Sequence, residues 1–212
     1  ITDRVDNITR IPEEYRSALP PAPKSVKSEL TANCDLKCFY CATGSRLRDK
    51  GEIDWDFYCR IVQEMRDAGV EELGVFYLGE SFLYKKLPEA INYAKNVVGF
   101  PYVFLTSNGR MASPERVGDC IEAGLDSLKF SFNYADPAQC IDITRVDAFD
   151  GVVANIQAVK AIRDEVEART GHHCGIYASS IHYDGEQLER MKEAIKLVEP
   201  YVDLHYWLPL YG

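Results

Sequence analysis

What most constrains the fold of this chain is a repeated alternation between short apolar segments and amphipathic ones. SVKSELTA (25–32), ELGVFYL (72–78), YVFLTS (102–107), SLKFSF (127–132), GIYASSIHY (175–183) and VDLHYWLPL (202–210) read as strands. Five helix-forming stretches lie between them. Asp54 is placed to cap a helix through WDFYCRIVQEMRDAG, which Gly69 stops. LPEAINYAKNVV (87–98) carries Pro88 in its first turn, and SPERVGDCIEAG (113–124) has Ser113 as N-cap, Pro114 after it and Gly124 at its end. FDGVVANIQAVKAIRDEVEART (149–170) is a long helix and EQLERMKEAIKLVEP (186–200) the last. Buried β-branched and aromatic strands separated by helices imply a parallel sheet with right-handed crossovers. No G-x-G-x-x-G follows the first strand, so the fingerprint of a dinucleotide-binding fold is missing. The expectation is an α/β chain folded as a partial (β/α)6 TIM-like barrel with parallel strands, its chemistry gathered at their C-terminal ends.

A length of 212 residues and 46% hydrophobic content allow one sizeable core. Residues 1–24 are polar and proline-rich (IPEEYRSALPPAPK) and read as an arm or linker, leaving 25–212 as the domain. The chain begins at Ile1 and stops at Gly212 directly after an apolar run, and so reads as a segment of a longer protein. A net charge of −9 with no basic run argues against a nucleic-acid partner. No run of 18 apolar residues is present to span a membrane, and no apolar signal segment opens the sequence. Of the seven cysteines, Cys59, Cys120, Cys140 and Cys174 fall singly, which is no disulfide framework and suits a reducing cytoplasm. All four read as packing residues, those at 59 and 120 buried within helices.

The other three, Cys34, Cys38 and Cys41, stand as C-x3-C-x2-C in CDLKCFYC. Three thiolates hold three corners of a four-iron cluster and leave one iron free to bind a substrate or cofactor, whereas four cysteines suit electron transfer. On a helix these positions would form one apolar stripe. Asn33, Asp35 and Gly44, however, bracket a segment too short for a helix of its own. A zinc site needs a fourth ligand and usually shows C-x2-C pairs, yet no His or Cys lies within a dozen residues after Cys41. An iron–sulfur electron carrier and a zinc-stabilised binding module stay open as alternatives. Gly79-Glu80 follow the second strand, Ser107-Asn108-Gly109 the third, and Ser131 and Asn133 end the fourth. Motifs at four successive strand ends would face one pocket.

The order of these motifs resembles the core domain of radical S-adenosylmethionine (SAM) enzymes, over roughly residues 25–208. The resemblance implies a [4Fe-4S] cluster on Cys34, Cys38 and Cys41, SAM on the open iron, and Tyr40 beside the adenine. The family's G-G-E is here Leu78-Gly79-Glu80. It implies close backbone approach at Gly79 and a SAM ammonium donating to Glu80, a natural pairing for a carboxylate. Ser107 and Asn108 are similar to the family's T/S-N-G near the SAM carboxylate and ribose, and Ser131 to its ribose-contacting serine. The family's S-x-D is Ser131-Phe132-Asn133 here, an amide that still bonds a hydroxyl. Arg145 stands where many relatives carry an arginine near SAM. The G-x-I-x-G-x-x-E pattern of some members is absent, Gly175 to Ser179 standing in its place. His182, His205, Tyr206 and Trp207 read as packing residues, with a substrate-cavity lining as the alternative.

By this resemblance the expected activity is reductive cleavage of SAM to a 5′-deoxyadenosyl radical that abstracts hydrogen from a substrate. An external one-electron reductant of flavodoxin or ferredoxin type is implied. The stretch from Arg145 through Phe149-Asp150-Gly151 to Asn155 looks like members with a SPASM-type extension. The expected substrate is therefore a peptide or a carbohydrate-like small molecule. No residue that exchanges hydrogen with the product radical can be named.

Overall fold

The computed structural model describes residues 18, 21–42 and 49–209. Most of the arm expected over 1–24 lies outside them, and 21–23 carry no regular structure. Six strands, β1 (Ser25–Lys27), β2 (Glu72–Gly74), β3 (Tyr102–Ser107), β4 (Ser127–Ser131), β5 (Gly175–His182) and β6 (Leu204–Pro209), form one sheet. Their order in the sheet is their order in the chain, and every neighbouring pair is parallel. Sequential parallel order with helical crossovers is the layout of a barrel rather than of a doubly wound sheet.

The helices are α1 (Trp55–Asp67), α2 (Leu87–Asn92, continuing as a π-helical segment Tyr93–Val98), α3 (Pro114–Glu122), α4 (Pro137–Thr144), α5 (Phe149–Thr170) and α6 (Gly185–Ile195). Asp54 caps α1 as expected, its carboxylate accepting from the Phe57 N–H at 2.9 Å. No membrane-length apolar helix occurs among the described residues.

Register divides the sheet into two faces. Leu73, Val103, Leu105, Leu128, Phe130, Ile176 and Ala178 point to the helices and are buried with Val62, Ile91, Val117, Val152 and Ile156. Each of these Val, Leu, Ile and Phe side chains stabilises the fold by about 1.5–3 kcal/mol on leaving water. The opposite, lumen face is mixed: Lys27, Phe104, Lys129, Ser131, Tyr177, Ser179 and Tyr206 alternate with the core positions.

The structure departs from the expected elements in four places. Paired strand ends at Lys27 and Gly74, although the apolar patterns run to 32 and 78. Beyond Lys27 the chain leaves the sheet and pairs with the segment returning from the cysteine loop. Thr31 forms an antiparallel bridge with Glu52, Ala32 N–H bonds the Gly51 carbonyl at 2.7 Å and Ile53 N–H that of Leu30 at 2.9 Å. Helix α4 was not expected, although Asp136 caps it through the Gln139 N–H at 2.9 Å and Pro137 follows at its start. The last helix ends at Ile195, with a separate 3-10 turn at Glu199–Tyr201. Cys120, Cys140 and Cys174 are buried, whereas Cys59 is only partly so, because it flanks the inward stripe of Tyr58 and Val62 on α1.

One ion pair, of a buried arginine with a partly exposed carboxylate, ties α5 to the last two strands. The Arg163 side chain is 6% exposed and bonds Asp203 at 2.9 Å and the Cys174 carbonyl at 3.1 Å. Asp203 in turn accepts from the Ile176 N–H at 2.7 Å. Arg163→Met is expected to lower stability by about 2–4 kcal/mol, because it strands a carboxylate and a carbonyl. Urea unfolding would show this as a lower midpoint at unchanged slope; an unchanged midpoint would remove the pair from the account.

Candidate active site

Backbone bonds hold the cysteine loop at its start and at its middle. The Glu80 N–H donates to the Asn33 carbonyl at 2.8 Å, just before Cys34. Lys37 and Phe39 N–H groups donate to the carbonyls of Thr144 (2.9 Å) and Ile143 (3.1 Å), on either side of Cys38. Those carbonyls close α4, where a helix leaves acceptors without internal partners. Arg145 stops the helix in the left-handed region at φ 62°, the one non-glycine residue with positive φ among those described. Its side chain pairs at the surface with Asp142 at 3.2 Å. The left-handed backbone of Arg145 ends the helix directly after the Ile143 and Thr144 carbonyls that accept from the loop.

At Gly79 the end of β2 presses against the same loop. A Cβ there would stand 1.9 Å from the Thr31 carbonyl oxygen and 2.9 Å from that of Asn33. Only a glycine fits so close a backbone approach. Glu29 supports the turn from the far side, its carboxylate accepting from the Leu78 (3.0 Å) and Gly79 (3.1 Å) N–H groups.

Glu80 is 2% exposed. Its carboxylate accepts from the Ser107 hydroxyl at 2.9 Å, the Asn108 N–H at 2.8 Å and the Phe82 N–H at 3.1 Å. Burial nevertheless outweighs these bonds and pushes its carboxyl up to about 7. Ser107 also accepts from the Gly109 N–H at 3.0 Å. Asn108 extends the network to the cysteines: its amide donates to Asp35 at 2.8 Å and approaches the Cys34 sulfur at 3.9 Å. Arg110 holds the other Asp35 oxygen at 2.9 Å. Glu80 was expected to meet the SAM ammonium; in the structure its oxygens face three donors of the protein itself.

On the other side of the loop, the Asn133 amide donates to the Tyr40 phenol at 3.2 Å and accepts from the Ile181 N–H at 3.1 Å. The Tyr183 hydroxyl donates to the Asn133 carbonyl at 3.1 Å. Tyr40, Gly79, Glu80, Ser107, Asn108 and Asn133 therefore converge around the three cysteines, and Ser131 lies on the adjoining lumen face. Asp35, Glu29 and the carbonyls closing α4 belong to the same assembly, and the sequence assigned them no role in the site. The Asp136-Pro137 pair was a usable signal for α4; Asp35 and Glu29 carry no local signal. His182 and His205 pack edge-on against Trp207 at 5.3 and 5.2 Å, and His205 bonds the Ser180 hydroxyl at 3.0 Å. His182 also lines an open cleft of about 590 Å³ with Tyr183, Leu188 and Pro209.

The sulfurs share one electrostatic environment. Burial raises the Cys34 thiol, with Glu80, Asp35 and Cys41 adding to the effect. Burial, then Cys34 and Cys41, push Cys38 up to about 11. Three neighbouring thiolates need a cationic partner to ionise together, which an iron centre supplies. Among the described residues, no three His, Cys, Asp or Glu side chains converge tightly enough for one metal ion. Three cysteines match three irons of a four-iron cluster, whereas a structural zinc site takes four protein ligands.

A sequence profile of the Radical SAM superfamily matches residues 28–166. The chain belongs to this superfamily. A GTP 3',8-cyclase of Chlorobaculum tepidum is 28% identical over 127 residues, 60% of this chain and 38% of that protein. A PqqA peptide cyclase of Streptomyces rochei is 31% identical over 144 residues, 66% of this chain and 37% of that one. The chain thus spans less than half the length of these radical SAM relatives. Among solved structures, Streptococcus suis SuiB bound to S-adenosylmethionine superposes with a TM-score of 0.67 at 13% identity, covering 100% of this chain and 44% of that one. Methylornithine synthase (PylB) gives 0.66 at 12% identity over 89% of this chain and 53% of its own. These likenesses confirm the parallel-strand, TIM-like radical SAM fold.

Two outcomes follow from the geometry. Gly79→Ala is expected to cost about 1–3 kcal/mol and to displace the 31–33 backbone. Gly51→Ala, where an added Cβ meets nothing within 4 Å, serves as control. Comparing their melting temperatures and the iron bound per chain tests this; equal behaviour would contradict the close approach. For Glu80, a carboxyl raised from its ordinary 4.5 to about 7 favours the protonated folded state. Its contribution is full below about pH 4.5 and lost as pH rises through about 7. In the metal-free protein, Glu80→Gln is expected to abolish that decline between those pH values. It should also lower stability throughout by about 1–3 kcal/mol, because an amide leaves an N–H unpaired. Urea midpoints across pH decide it; parallel pH profiles for the two proteins would refute the assignment.

Proposed function

We propose that this chain is the catalytic core of a radical SAM enzyme, with Cys34, Cys38 and Cys41 holding a [4Fe-4S] cluster and SAM bound against the strand ends beside it. The observation that carries this reading is the hydrogen-bonded path from Glu80 through Ser107 and Asn108 to Asp35, which fastens the β2 and β3 ends to the cysteine loop. In this reading Glu80 and Ser107 are positioning residues, because their polar atoms already bond within the protein. Gly79 keeps the backbone close to the loop. Tyr40 and Ser131 offer polar groups to SAM, Asn108 and Asn133 meet it by exchanging a present amide bond for one to the ligand, and Arg145 shapes the loop's anchor.

Bound there, the cluster would supply the electron that breaks the SAM sulfonium C–S bond, yielding a fragment that takes a hydrogen atom from the substrate. The chain's own part is to orient both reactants at the mouth of the barrel and limit water there. An external one-electron reductant of flavodoxin or ferredoxin type completes the reaction. A peptide or carbohydrate-like small molecule is the substrate class; the peptide cyclase among the relatives supports the first. No disulfide joins any of the seven cysteines, and the reading includes a cytoplasmic setting.

The test is product analysis after anaerobic reconstitution with iron and sulfide and reduction by dithionite in the presence of SAM. The expected result is 5′-deoxyadenosine and methionine in equal amounts, falling at least 100-fold in Cys38→Ala. Iron bound without either product would favour an electron carrier. A colourless protein with stoichiometric zinc would favour a binding module.

A further inference from the structure

The lumen of the sheet contains a cation with no anion. Lys129 sits at the middle of β4, facing Thr106 of β3 and Tyr177 of β5 across the register. It is partly buried, and its ammonium lies 6.0 Å from the Tyr206 ring centroid. No carboxylate reaches it among the described residues. Burial holds its pKa below the usual lysine range, and the charge that adds to this effect is a second cation, Lys27. Lys95 and Arg163 pair with Asp126 at 2.8 Å and Asp203 at 2.9 Å, and the partly buried Arg66 and Arg116 are met by backbone carbonyls, whereas Lys129 has neither kind of partner among the described residues. Carboxylates are not scarce, with 33 Asp and Glu against 24 Lys and Arg. A lysine without a counter-ion here is therefore a matter of placement.

A second, independent observation lies one pleat away. Ser179 is 0% exposed and its hydroxyl has no hydrogen-bond partner. Leaving such a group unpaired costs about 1–3 kcal/mol. Ser179 lies opposite Ser131 in the register, on the lumen face that also carries Lys129 two residues further into the barrel. Two residues of strand amount to roughly 6–7 Å, within the reach of a lysine side chain. An ammonium and an orphaned hydroxyl on one face present donors to one acceptor group.

We propose that Lys129 and Ser179 form an anion-holding subsite in the barrel lumen, so that the substrate of this chain carries a carboxylate or phosphate group. The proposal rests on the radical SAM reading for the word substrate, but the subsite itself does not require the cluster. Lys129 supplies the counter-charge, Ser179 donates a hydrogen bond, and the Tyr206 ring walls the ammonium. Together they would fix one end of the substrate below the strand ends where the chemistry takes place.

The test is NMR of the full chain labelled with [13Cε]lysine, its cysteines unloaded, titrated separately with inorganic phosphate and with acetate. The Lys129 signal is assigned by its loss in Lys129→Arg. The expected result is a saturable shift of that signal, with the dissociation constant rising at least fivefold in Ser179→Ala. The exposed Lys196 should show only a linear drift. Tighter phosphate than acetate would assign a phosphorylated substrate, and the reverse a carboxylate. A Lys129 signal that tracks Lys196, or a Ser179→Ala variant that binds like the parent, would overturn the subsite. Displacement of the anion by SAM would assign the subsite to SAM and overturn the substrate claim. Because no iron is present, the titration succeeds or fails independently of SAM cleavage.

Discussion

The Glu80 carboxylate is the interaction on which the arrangement of this site depends. A carboxylate at 2% exposure is costly unless its lone pairs are met, and here three donors meet them. One donor is local, and the other two come from the end of β3. The same residue's N–H reaches back to Asn33 at the mouth of the cysteine loop. Three segments far apart in sequence are thereby joined through one side chain and its own backbone. Sequential strand order makes this possible, since it sets the C-terminal ends of β1, β2 and β3 side by side.

The anchors of the cysteine loop are mostly backbone groups: the Asn33 carbonyl on one side, and the carbonyls closing α4 on the other. These anchors shape the loop, while burial and the neighbouring groups raise the Cys34 and Cys38 thiols. Metal binding would have to displace protons from them, which couples cluster assembly to pH. Two kinds of polar burial coexist in this fold. Glu80 and Arg163 are sequestered and fully partnered, and they hold elements together. Ser179, fully buried, and Lys129, partly so, have no polar partner among the described residues, and they face the lumen.

Much of this was legible in the sequence because it is written locally. Six strands were expected and six occur, since apolar runs and Asp54-type caps need only neighbouring residues to be recognised. The cysteine spacing and Gly79-Glu80 could be read for the same reason. The true lengths of β1 and β2 could not, because Thr31 and Glu52 compete for the backbone of the first strand through a contact 21 residues away. Asp35 was visible only as a residue bracketing Cys34; its bond to Asn108 was not, because that partner is 73 residues distant and leaves no periodic trace. The role of Glu80 was legible as a need for partners, but not the identity of those partners. Helix α4 is a different case: its Asp-Pro start was visible, and its short, weakly amphipathic body hid the rest.

The most direct test of the account is electron paramagnetic resonance of the anaerobically reconstituted, dithionite-reduced protein, recorded with and without SAM. The account expects a [4Fe-4S]⁺ signal whose g-values shift when SAM is added, since three cysteines leave one iron open. A cluster signal indifferent to SAM would contradict it, because it would mean that the fourth iron is closed to the cofactor.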